Sequence, residues 1–217
     1  MLNKRVINCL DELIRRYPDL ESVKSSIIDA YRIIVESYNH DGKLLIAGNG
    51  GSAADAEHIV GELMKSFRIS RKIPKELENE LCNIDATRGK ELAENLERGL
   101  MAIPLVTHEA LSTAYINDVN GKDVFAQQLY GYGRKGDVFW GISTSGNSEN
   151  VLLAAITAKA LGIKVIALTG ATGGRLADIA DITINAPEIE TYKIQELHLP
   201  IYHCLCMMLE EYYFGEE

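Results

Sequence analysis

The chain has 217 residues and a formal net charge of −9, from 22 basic and 31 acidic side chains. That balance argues against non-specific nucleic-acid binding, which needs a basic surface, and no apolar run approaches the ~20 residues of a membrane span. The opening Met1-Leu2-Asn3-Lys4-Arg5 lacks the apolar core of a signal peptide. The length and the 47% hydrophobic content suit one large α/β domain over 1–217, with a core that needs neither disulfide nor metal. Cys9, Cys82, Cys204 and Cys206 form no repeated CxxC and no disulfide framework, so a cytoplasmic, reducing location is the simplest reading.

In chain order, Val6, Leu10, Leu13 and Ile14 recur at helical spacing, and Pro18 ends that helix. Ile27, Ile28, Tyr31, Ile34 and Val35 mark a second, which makes 1–40 a helical N-terminal part. The apolar faces of these helices need cover from the sheet or from a second subunit. Leu44-Leu45-Ile46-Ala47 is then a short continuous apolar run, followed by Gly48-Asn49-Gly50-Gly51-Ser52 and a helical stretch to about Phe67. Four more such runs follow: Ile103-Pro104-Leu105-Val106, Val138-Phe139-Trp140-Gly141-Ile142, Val165-Ile166-Ala167-Leu168 and Ile182-Thr183-Ile184. Continuous apolar strands separated by helices predict a parallel sheet buried on both faces. The segment 68–100, rich in both charge signs with a helical tail at Leu92 and Leu96, is either an inserted arm or lid or a solvated connection. A long last helix is expected from about Lys193 to Tyr213.

Two strand ends carry small polar residues. One is the glycine turn at 48–52. The other is Ser143-Thr144-Ser145-Gly146-Asn147-Ser148, directly before a helix that starts near Glu149. Ligands of open α/β sheets bind outside the carboxyl ends of the strands, and N–H groups at a helix start attract anions. One Ser would be explained as a helix cap. Four hydroxyls around Gly146-Asn147 exceed that need and predict a phosphate site. Neither a Walker loop nor the GxGxxG fingerprint is present, which disfavours a nucleotide enzyme.

His58 and Glu62 stand four apart and share one helix face. They could bind one metal, act on one substrate, or simply be solvated. Gln195 and His203 lie in a mostly apolar stretch, where a satisfied core histidine is the plain expectation. Eight residues of helix rise ~12 Å, so both can serve one site only if the helix breaks, with Pro200 the candidate, or if two subunits contribute one residue each.

Taken together, Gly48-Asn49-Gly50-Gly51-Ser52, His58 with Glu62, Asn117-Asp118, Gly141–Ser148, and Gln195-Glu196 followed by His203 resemble the sugar isomerase (SIS) family, and within it the phosphoheptose isomerases. The resemblance implies a flavodoxin-like three-layer sandwich and an aldose–ketose isomerase acting on a phosphosugar, sedoheptulose 7-phosphate above all. It implies that Asn49, Gly50, Gly51 and Ser52 line the sugar, that Asn117 and Asp118 bind the open-chain polyol, and that Ser143, Thr144, Ser145 and Ser148 hold the phosphate. Glu62 would be the general base and His203 the general acid. His58, Glu62, Gln195 and His203 would be zinc ligands, with Gln195 and Glu62 also facing substrate; the four could equally hydrogen-bond one another and the sugar. No nucleotide cofactor is implied, and the assembly would be a homotetramer with shared sites.

Other readings of the same fold are a non-catalytic module that binds a protein partner, as replication-initiation-associated relatives do, and a different phosphosugar isomerase or etherase. The non-catalytic relatives generally lack the carboxylate and the histidine that stand here as Glu62 and His203, which favours the enzyme. The 68–100 segment and Tyr192-Lys193 depart from the usual pattern and bear on which sugar phosphate fits.

Overall fold

The computed structural model describes residues 2–215. Five strands, β1 (Leu44–Ala47), β2 (Ala102–Pro104), β3 (Val138–Ile142), β4 (Lys164–Thr169) and β5 (Ile182–Asn185), pair in parallel in the order β2-β1-β3-β4-β5. Leu45 pairs with Ile103 on one side and with Phe139 on the other. This is the α/β sandwich expected from the apolar runs, with the doubly wound order of a flavodoxin-like sheet. The chain order reverses between β1 and β3, which opens a crevice at their carboxyl ends.

Side chains alternate between the faces of the sheet, and both faces are dry. Leu44, Ile46, Val138, Trp140, Ile142, Ile166 and Leu168 point into a core shared with α1 (Lys4–Arg16), α2 (Lys24–Tyr38), α3 (Gly51–Met64) and α10 (Thr191–Tyr213). Leu45, Phe139, Val165 and Ala167 point into the opposite core, closed by α7 (Val124–Tyr132), α8 (Glu149–Ala160) and α9 (Gly174–Ile179). Burial on both faces is why the strands read as continuous apolar runs. Each fully buried aliphatic side chain contributes roughly 1.5–3 kcal/mol.

The N-terminal helices use this sheet and the last helix as cover. α1 starts where the Asn3 side chain accepts from the Val6 N–H at 2.9 Å, and it buries Val6, Cys9, Leu10 and Leu13. α3 stops at Met64, three residues short of the expected Phe67, because the next N–H groups leave the helix. Those of Phe67 and Arg68 donate to the buried Glu210 carboxylate at 2.8 and 2.9 Å.

Segment 68–100 forms a helical hairpin, α4 (Lys75–Ile84) and α5 (Ala86–Asn95), whose helices bury only Gly89. The helical tail expected at Leu92 and Leu96 ends at Asn95. Beyond it Glu97 pairs in a β-bridge with Lys72, and its carboxylate accepts from the Ser66 N–H and Oγ at 2.8 and 2.5 Å. Arg71, 2% exposed, fixes the base of the hairpin: its guanidinium meets Glu210 at 2.8 Å and donates to the carbonyls of Leu63 at 2.7 Å and Glu62 at 3.1 Å. It thereby satisfies carbonyls that the end of α3 leaves without helical partners.

α10 runs without a break through Pro200. Glu196, whose carbonyl the proline cannot bond, lies on the exposed side of the helix, where water can take the lost donor's place.

Candidate active site

Because the strands are parallel, the loops after β1 and β3 emerge side by side at one edge of the sheet. Asn49 in the first and Asn150 in the first turn of α8 bond to each other across this crevice at 2.9 and 2.8 Å. A Cβ at Gly51 would stand 2.5 Å from the Gln195 amide nitrogen. Gln195 thus sits against the glycine turn. Ser52, by contrast, is buried at 4% exposure, with its N–H bonded to the Asn49 carbonyl at 3.0 Å.

The 143–148 loop is wired by its own hydroxyls. The Ser143 and Ser148 hydroxyls are 3.0 Å apart, and Ser145 Oγ accepts from the Asn147 N–H at 3.1 Å. Ser148 occupies the cap position of α8 without giving its hydroxyl to the helix. Capping therefore does not account for this serine, and the first N–H groups of α8 face the loop mouth. Gly146 adopts a left-handed φ of 64° where the backbone presses on Gly173. The loop itself holds no cation, but the fold brings Arg175 to its rim. The Arg175 N–H donates to Asn147 Oδ1 at 3.1 Å, and its side chain pairs with Glu149 at 2.9 Å.

α3 and α10 lie alongside each other in the same direction: Gln195 meets Gly51, Tyr202 meets His58, and Glu210 meets the turn after α3. This brings three of the candidate side chains together. His58 Nε2 is 3.3 Å from Glu62 Oε1, and the His58 and His203 rings stand edge to face at 4.9 Å. Lys65 reaches Glu62 Oε2 at 3.3 Å. His203 also packs on Phe67 at 5.4 Å, and its Nε2 is buried without a hydrogen-bond partner. Burial first, and then the neighbouring His58, holds the His203 imidazole below its ordinary pKa; Glu62 pulls the other way. A neutral His203 is a hydrogen-bond donor through one nitrogen, suited to protonating an oxygen.

Not every candidate joins this cluster. The unbroken α10 leaves Gln195 about 12 Å of helix away from His203. Among the described residues, no three His, Cys, Asp or Glu side chains form a set able to hold a metal ion. One chain therefore does not assemble the zinc ligand set of His58, Glu62, Gln195 and His203. Asn117 and Asp118 lie on an exposed helical turn after α6 (Glu109–Tyr115) and bond to each other at 2.8 Å.

Sequence reasoning missed Asn150, Arg175, Asp55 and Tyr202. The position of Asp55, three residues before His58 on α3, was legible; the partners on distant elements carried no local signal.

A SIS domain family model matches residues 10–95 and 91–170. The chain belongs to the SIS domain family. It is similar to the phosphoheptose isomerase of Helicobacter pylori strain P12, 37% identical over 194 residues, which is 89% of this chain and 88% of that protein. The phosphoheptose isomerase of Aneurinibacillus thermoaerophilus is 39% identical over 180 residues, 83% of this chain and 78% of that one. Among solved structures, a phosphoheptose isomerase from Neisseria gonorrhoeae superimposes with a TM-score of 0.70 at 33% identity, covering 95% of this chain and 97% of that one. One from Francisella tularensis gives 0.74 at 30% identity, covering 93% and 94%.

Proposed function

We propose that this protein is an aldose–ketose isomerase of the phosphoheptose isomerase kind, with sedoheptulose 7-phosphate as substrate and D-glycero-D-manno-heptose 7-phosphate as product. The observation that carries the reading is the packing of a carboxylate and an imidazole, Glu62 and His203, around His58. The whole chain, N-terminal helices and hairpin included, works as one SIS domain. A non-catalytic module has no use for this pair, and the curated relatives reported above are phosphoheptose isomerases.

The reaction moves hydrogen between two adjacent carbons. Glu62 takes a proton from C1 of the ketose while His203 gives one to O2, forming the enediol. His203 then takes the O1 proton and Glu62 returns its proton to C2, giving the aldose with no atom gained or lost. The hydroxyls of Ser143, Thr144, Ser145 and Ser148 and the start of α8 hold the phosphate, so its binding energy fixes the reacting end. Asn49, Gly50 and Gly51 line the sugar, and Asn117 with Asp118 takes the polyol hydroxyls.

Gln195 and the anion loop sit at the start of α10, and the acid–base pair two turns further along. A homotetramer that brings one subunit's Gln195 toward another's His203 shortens that gap. It is also the arrangement in which zinc could find the four side chains the resemblance implies. No step above depends on the metal. The four cysteines are free, three of them buried, which supports a cytoplasmic location, and no helix among the described residues is long and apolar enough to cross a membrane.

The test is incubation with sedoheptulose 7-phosphate and chromatographic detection of the aldose, beside other phosphosugars. Turnover of only a different phosphosugar would correct the substrate, and turnover of none would return the module reading.

A further inference from the structure

Glu62 stands in the last turn of α3, two residues before the helix ends at Met64. The last carbonyls of a helix have no partner within it, and such turns open first. A base placed there is held only as well as the turn is. Its carboxylate meets His58 Nε2 and Lys65 Nζ, each at 3.3 Å and each from the same stretch of chain, so neither ties it to the rest of the fold.

The tie comes from Arg71, whose side chain is fully buried. Its Nη1 donates to the Leu63 carbonyl at 2.7 Å and its Nη2 to the Glu62 carbonyl at 3.1 Å. Nε and Nη2 also donate to Glu210 Oε1 at 3.0 and 2.8 Å, and the guanidinium lies over the Phe214 ring at 4.6 Å. Glu210 is fixed in turn by the N–H groups of Phe67 and Arg68. From the other strand of the hairpin base, the Leu100 N–H reaches the Leu63 carbonyl at 2.9 Å, and the Arg98 N–H bonds the Arg71 carbonyl at 2.7 Å. Both sides of the hairpin base therefore close on the turn that carries Glu62.

Pairing with Glu210 alone does not require an arginine, since a lysine carries the same charge. Reaching one carboxylate and two carbonyls at once requires the planar fork. We propose that Arg71, locked by Glu210, is a positioning residue for Glu62: it keeps the last turn of α3 wound and so fixes the backbone from which the base reaches the substrate. A displacement of ~1 Å at a reacting group costs on the order of a hundredfold in rate. The role rests on the isomerase reading for what Glu62 does; the hold on α3 is a property of the free chain.

The experiment combines amide hydrogen exchange of the full chain with steady-state kinetics on sedoheptulose 7-phosphate. Arg71→Lys keeps the charge opposite Glu210 and loses the fork. The N–H groups of Glu62, Leu63 and Met64 should exchange roughly tenfold faster relative to those of β3. In the same variant kcat should fall about tenfold while KM moves less than twofold. Leu129→Ala, in the opposite core, lowers the melting temperature without touching α3, and should leave kcat and the relative exchange as in the parent. Should Arg71→Lys fail to fold, Ser66→Ala decides by the same readouts. The Ser66 hydroxyl accepts from the Arg71 N–H at 3.2 Å and donates to Glu97 at 2.5 Å, so its loss should move both in the same direction. Unchanged relative exchange at the end of α3, a kcat equal to the parent's, or an equal fall in Leu129→Ala overturns the proposal. No turnover in the parent overturns the isomerase reading instead, and the exchange rates then decide the hold on α3 by themselves.

Discussion

Asn49 and Asn150, 101 positions apart, exchange two amide hydrogen bonds of 2.9 and 2.8 Å across the crevice between β1 and β3. The pair ties the glycine turn to the start of α8 where the chain order of the sheet reverses. Asn150 also accepts from the Val151 N–H at 3.0 Å, so its orientation is set by the helix it begins. Asn150→Ala should leave Asn49 without its partner and raise KM for the phosphosugar about fivefold, the worth of a hydrogen bond of about 1 kcal/mol. Initial rates with an unchanged melting temperature are the check, and an unaltered KM would remove the pair from substrate binding.

Glu62→Gln keeps the shape of the side chain and removes its ability to take a proton. Turnover should fall on the order of a hundredfold or more, while calorimetric binding of the phosphosugar stays close to the parent's. A variant with near-normal kcat would take Glu62 out of the mechanism.

Ser145→Ala with Ser148→Ala should weaken phosphosugar binding. Each lost charge-assisted hydrogen bond costs roughly 1.5–3 kcal/mol. The Ser143–Ser148 contact of 3.0 Å in the free loop offsets part of that, because the parent gives it up to receive the anion. KM should therefore rise at least tenfold with kcat little changed. Equal binding in parent and double variant would place the anion elsewhere.

Stability should fall below neutral pH through His198. Its ring is fully buried, Nε2 donates to the Thr169 carbonyl at 3.1 Å, and Nδ1 has no partner. Burial pushes its pKa down from 6.5 to about 4. Between those values the unfolded chain binds the proton and the folded chain does not, so stability is full above pH 6.5 and is lost as pH falls toward 4. The whole window is worth roughly 3 kcal/mol. Melting temperatures from pH 7.5 to 4.5 should drop less steeply for His198→Gln, which still donates to Thr169 but does not titrate. Parallel slopes would clear His198.

Metal and assembly should be linked, because the ligand set is incomplete in one chain. Protein purified without chelator should be a tetramer by light scattering and carry close to one zinc per chain. Dilution to monomers, or His58→Ala, should release the metal. Chelation should leave the fold intact, since both cores are closed by apolar side chains alone. Zinc bound by an isolated monomer would show that Gln195 is dispensable as a ligand, and metal-free tetramer at full activity would leave Glu62 and His203 acting alone.

The strands, the two polar strand ends and the spacing of His58 and Glu62 are legible along the chain, because each of these is local. A strand buried on both faces must be apolar at every position, as in Leu44–Ala47 and Val138–Ile142. A turn that approaches another backbone must use glycine, and residues four apart on a helix must share a face. That α10 passes Pro200 unbroken, and so keeps Gln195 and His203 apart, emerges from the packed fold. It alone placed Asn150 against Asn49, Arg175 at the 143–148 loop, and Tyr202 between two histidines. The ends of α3 and α5 were decided the same way, by Glu210 and by Ser66 capturing backbone or side-chain groups from distant segments. Such contacts depend on how two elements lie against each other, and no periodicity within either element encodes it.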